Sequence, residues 1–77
     1  MMSTCNIDHS LEDVMKKLQS QESFLPRELY QKATQFLKAE HSQQVLNELF
    51  HLLKKYDLAT QEEQQTRNQD METLFQA

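Results

Sequence analysis

Apolar positions recur along this chain at helical spacing, and they are densest between Val45 and Tyr56, V-L-N-E-L-F-H-L-L-K-K-Y. At about 100° per residue, Val45, Leu46, Leu49, Phe50, Leu52, Leu53 and Tyr56 fan across one arc of roughly 160°. A surface helix usually carries a stripe of about 100°. The wider arc calls for more than one neighbour, so this segment is expected to be the central helix of the fold.

Upstream, Leu11, Val14, Met15 and Leu18 sit at i, i+3, i+4 and i+7 and predict an amphipathic helix from about Ser10 to Ser20. Ser10 with Asp13 makes an approximate capping box, Asp8 being a competing cap. Glu12 and Asp13 precede Lys16 and Lys17, the order the helix dipole favours. A polar break at Gln19–Ser23 follows, with Phe24-Leu25 expected to anchor the turn. Pro26 then suits the first turn of a second helix reaching about Ala39, because its missing N–H has no intrahelical partner there. Leu25, Leu29, Tyr30, Ala33, Phe36 and Leu37 share one face of it.

Glu40-His41-Ser42 separates the second helix from the third, with Ser42 placed to cap the latter. Two arrangements fit: an antiparallel hairpin, which the short connection favours, and one fused rod from Pro26 to Tyr56. After Tyr56, Asp57-Leu58-Ala59 reads as a connector, and Thr60 with Glu63 forms the capping box of a fourth helix. Gln61–Asp70 holds ten polar residues and no apolar one; only Met71, Leu74 and Phe75 restore a stripe. A helix polar all round is solvated, braced by a partner or only partly formed. Residues 60–77 are therefore expected to pack loosely or against a partner, and residues 1–7 to form a disordered tail. The expected fold class is all-α: a small antiparallel helical bundle of three core helices with a polar fourth C-terminal helix, in a single domain spanning 1–77.

Composition narrows the picture. Seventy-seven residues support one small core, which often needs a disulfide, a metal or a partner chain. Cys5 is the only cysteine, so no internal disulfide forms, and its isolation fits a reducing compartment, hence a cytoplasmic protein. Glycine is absent and Pro26 is the sole proline, which leaves no tight β-hairpin and no glycine-rich phosphate loop. No apolar run approaches the ~20 residues that span a bilayer, and no signal-peptide pattern opens the chain. The net charge of −4, with scattered bases, disfavours a nucleic-acid partner, which normally meets a basic footprint.

Candidate chemistry is sparse. Catalysis needs a nucleophile, a base and an orienting group in fixed geometry. Cys5 and His9 fall in or beside the expected tail, and the adjacent pairs Glu12–Asp13 and Glu62–Glu63 do not face one another on a helix. No catalytic residue is assigned, and a non-enzymatic protein is expected. Cys5-x-x-x-His9 has the spacing of a zinc half-site that His41 or His51 could complete, but zinc sites usually announce themselves with two such pairs. No metal or other cofactor is assigned. A helix-turn-helix built on the second and third helices would present Gln43, Gln44, Asn47, Glu48, His51, Lys54 and Lys55. Glu48 opposes phosphate there, and the turn lacks glycine. Leu49-Phe50-His51-Leu52-Leu53 spells L-x-x-L-L, a spacing that any buried helix produces.

What remains is apolar surface in excess of its cover. Leu46, Phe50, Met71, Leu74 and Phe75 are the residues expected to stay uncovered and to form a homodimer seam or a groove for a protein partner. The opposing arrangement has the fourth helix folding back and burying them. The function expected is a small interaction or regulatory module, with a nucleic-acid-binding, helix-turn-helix-like regulator as the alternative. No motif identifies a family.

Overall fold

Four helices form close to where the periodicity puts them. In the computed structural model, which describes residues 8–76, α1 spans Leu11–Ser20, α2 Arg27–Phe36, α3 Gln43–Leu53 and α4 Gln61–Gln76. The tail expected over residues 1–7 lies outside the described residues.

The capping chemistry acts as the sequence suggests. Ser10 Oγ accepts the Asp13 N–H at 3.1 Å, and Ser42 Oγ accepts the Val45 N–H at 3.2 Å. At the start of α4 the box is reciprocal: Thr60 Oγ1 accepts the Glu63 N–H, and Glu63 Oε1 accepts the Thr60 N–H, both at 3.1 Å. Pro26 stands immediately before α2.

Two helices stop earlier than their apolar stripes, each for a local reason. α2 ends at Phe36 rather than Ala39, and Lys38 and Ala39 wind on in tighter i→i+3 turns. The His41 imidazole folds back, stacks on the Phe36 ring at 3.8 Å and meets the Phe36 carbonyl, the group that a further helical turn would need. The fused rod is thereby excluded. The junction is a corner more than a packed hairpin: α3 lies chiefly along α1, and α4 lies against both α2 and α3.

α3 ends at Leu53 rather than Tyr56. Lys54 leaves the helix and Lys55 adopts the left-handed conformation, φ 57° and ψ 28°, before a single 3-10 turn over Tyr56–Leu58. In a chain without glycine the reversal falls to a lysine, at a cost of roughly 1–2 kcal/mol. The reversal turns Tyr56 inward, where it is 1% exposed.

The core draws on every helix: Val14 and Leu18 from α1, Leu29 and Ala33 from α2 with flanking Leu25 and Leu37, Leu49 and Leu53 from α3, then Tyr56, and Met71 from α4. Phe24, expected to anchor beside Leu25, is half exposed instead; Leu25 alone serves as the anchor. α4 is not loosely held. Its last two turns close over α2 and α3, and the radius of gyration, 12.0 Å, is near the value of about 11.5 Å for a fully compact chain of this length.

Candidate interaction surface

The polar half of α4 has a structural task. Gln64, Arg67, Asn68 and Met71, at i, i+3, i+4 and i+7, share one face of the helix. Gln64 Nε2 donates to the Tyr56 carbonyl at 2.9 Å, Arg67 Nη1 to the Lys54 carbonyl at 2.8 Å, and the Tyr56 hydroxyl donates to Asn68 Oδ1 at 2.7 Å. From the opposite side comes Gln21, a buried polar residue just past α1. Its Oε1 accepts the Asp57 N–H at 3.0 Å, and its Nε2 donates to Asp57 Oδ1 at 3.2 Å. The end of α3 and the turn after it leave carbonyls and N–H groups that helix geometry cannot satisfy, and these side chains satisfy them. At the start of α4 the Glu63 carboxyl is held below its ordinary value, first by the Thr60 backbone N–H, then by the Thr60 hydroxyl and the charge of Arg67.

Of the five residues expected to stay uncovered, one is enclosed and four are half-buried. Met71 is fully enclosed and belongs to the core. Leu74 and Phe75 are half-buried, with Phe75 against Phe36 at a ring-centroid distance of 4.8 Å. Phe75 borders an open groove of about 910 Å³ between α2 and α4, edged by Tyr30, Phe36 and the Lys32–Glu72 ion pair at 2.9 Å. Leu46 and Phe50 are half-buried elsewhere, along α3. His9 stacks flat on Phe50, centroids 3.5 Å apart and 8° from parallel, and Lys17 Nζ lies 5.5 Å from the same ring centre.

His9 is held there by its backbone. Its N–H donates to Asn47 Oδ1 at 2.8 Å, its carbonyl accepts Gln43 Nε2 at 2.6 Å, and Asn47 Nδ2 donates to Asp8 Oδ1 at 3.1 Å. Residues 8–9 therefore form a short strap on α3. Gln43 and Asn47, two of the residues a recognition helix would turn toward base edges, are engaged in this strap. Glu48, His51, Lys54 and Lys55 remain exposed.

Besides Phe24 and Leu58, two apolar residues one turn apart on α1 are exposed, a ridge that periodicity did not single out. Leu11 is 42% and Met15 40% exposed on α1. Leu11 borders a shallow depression with Leu37, His41 and Leu46, and Met15 borders another with Leu18, Tyr30 and Leu37. Leu37 is common to both, so an apolar edge runs between α1 and α2. Helix 1 shows an ordinary stripe, and Val14 and Leu18 alone bury fully; which edge of a stripe is covered depends on where α2 goes.

Glu12, Asp13, Glu62 and Glu63 are exposed, and Cys5 lies outside the described residues. Among the described residues, no three His, Cys, Asp or Glu side chains come together as a metal cluster, and no helix is long and apolar enough to cross a membrane. The chain matches no family model, no curated protein and no solved structure.

Proposed function

We propose that this chain is a small non-enzymatic interaction module, regulatory in role, that presents the edge between α1 and α2 to a second copy or to a partner protein. The observation that supports the reading is the exposure of Leu11 and Met15 next to half-buried Tyr30 and Leu46, in a chain whose core is otherwise well enclosed. Covering the exposed part of each long side chain is worth roughly 1 kcal/mol, so the ridge gains by association. Phe75, at the groove between α2 and α4, is a secondary contributor. A single cysteine supports work in a reducing compartment such as the cytoplasm.

The test compares wild type with Leu11→Ser/Met15→Ser by sedimentation equilibrium over a hundredfold dilution, and by crosslinking in the source cell. Self-association, or a crosslinked partner, that disappears in the variant while circular dichroism stays unchanged is the expected result. Identical association and crosslinking in both proteins would remove the ridge from consideration.

A further inference from the structure

We infer that His9 and His51 together form a binding site for a borderline divalent transition metal of the zinc, nickel or copper(II) class. The two residues are far apart in the chain, and the strap brings their imidazoles to a centroid separation of 6.1 Å with the rings nearly perpendicular, 86°. With metal–nitrogen distances of about 2.1 Å, a tetrahedral ion shared by two imidazoles holds their ring centroids roughly 5.3 Å apart. The observed pair stands within about 1 Å of that separation, a gap that rotation of the exposed His51 side chain closes without rearrangement of the backbone.

Three further features favour the assignment. No ring nitrogen of either histidine makes a hydrogen bond among the described residues, so both rings keep lone pairs to offer, unlike His41, whose Nε2 is engaged by the Phe36 carbonyl. The His9 backbone is fixed at both its N–H and its carbonyl, and its ring is fixed by the stack on Phe50, so one half of the pair is preorganised. His51 is exposed on rigid α3, which leaves the remaining coordination positions open to water. Imidazole is a donor suited to zinc, copper and nickel and poorly suited to magnesium or calcium. The Lys17 ammonium near Phe50 places positive charge in the neighbourhood, and with only two protein donors the ion is exchangeable. Bound metal would tie residues 8–9 to α3 and strengthen the strap. The inference stands apart from the interaction ridge on α1 and does not depend on it.

The experiment is calorimetric titration of tag-free, full-length protein with ZnCl₂ and NiCl₂, with thermal melts at each metal ratio. One ion per chain and a rise in Tm are expected for wild type. In His51→Ala, whose exposed side chain lies outside the core, the affinity should fall at least tenfold with the metal-free Tm unchanged, and His9→Ala should match that loss of affinity. Magnesium should bind to neither protein. The inference is overturned if wild type shows no saturable binding, if His51→Ala binds as wild type does, or if Cys5→Ser abolishes binding that His51→Ala retains.

Discussion

The corner around Tyr56 and the ridge on α1 invert the usual relation between residue type and position. At the corner, Gln21, Gln64, Arg67 and Asn68 turn inward onto the chain; on the ridge, Leu11 and Met15 face out. The difference is set by backbone hydrogen bonding. Where α3 stops and the chain reverses, unpaired carbonyls and N–H groups demand polar partners, and leaving one buried and unmet costs about 1–3 kcal/mol. On α1 the backbone is already satisfied within the helix, so nothing local decides which edge of the apolar stripe is covered. Polar residues are drawn in by a specific need, and apolar residues are left out for lack of a neighbour.

The largest effect is expected at the centre of the corner. Tyr56→Ala removes a fully enclosed ring and should lower stability by about 3–4 kcal/mol, read from the urea midpoint at unchanged slope. Tyr56→Phe, which keeps the ring and loses only the bond to Asn68, should lose about 1 kcal/mol. If the two variants were equally unstable, the hydroxyl and not the packing would hold the corner.

Next in size is Gln21→Leu. On packing grounds alone a leucine in a buried place would be tolerated. With the Asp57 N–H left unpaired, a loss of about 1–3 kcal/mol is expected instead. Leu11→Ser on the ridge, the opposite exchange, should change stability by no more than about 0.5 kcal/mol. A Gln21→Leu protein as stable as wild type would erase the distinction between the two regions.

The smallest effect concerns acid. Because folding lowers the Glu63 pKa below its ordinary value of 4.5, its contribution is fully present above that value and is lost as pH falls through the lower, folded one. The slope of stability against pH on the acid side should therefore be shallower in Glu63→Gln than in wild type. An unchanged slope would show that the reciprocal cap with Thr60 does not form in solution.

These contrasts explain what was readable from sequence. The caps at Ser10, Ser42 and Thr60 and the four helices were legible because their determinants lie within a few residues of one another. Met71 was misplaced because the ten polar residues before it suggested a helix standing clear of the bundle. Their i, i+3, i+4 spacing at Gln64, Arg67 and Asn68 matters only once the Lys54 and Tyr56 carbonyls are known to face them. The ends of α2 and α3 were likewise set by tertiary events: His41 turning back on Phe36, and Lys55 taking a left-handed conformation that glycine would ordinarily supply. The nearness of His9 to His51 depends on Asn47 and Gln43 gripping the backbone of residue 9, a contact with no periodicity to reveal it.

Native-state amide hydrogen exchange across α4 tests most directly whether its polar half is a built part of the bundle. If Gln64, Arg67 and Asn68 dock the helix, the amides from Asn68 to Leu74 should be protected nearly as strongly as those of Leu49–Leu53 in α3. Exchange of the α4 amides close to the rate of an unstructured peptide, with α3 still protected, would contradict that and return the helix to solvent.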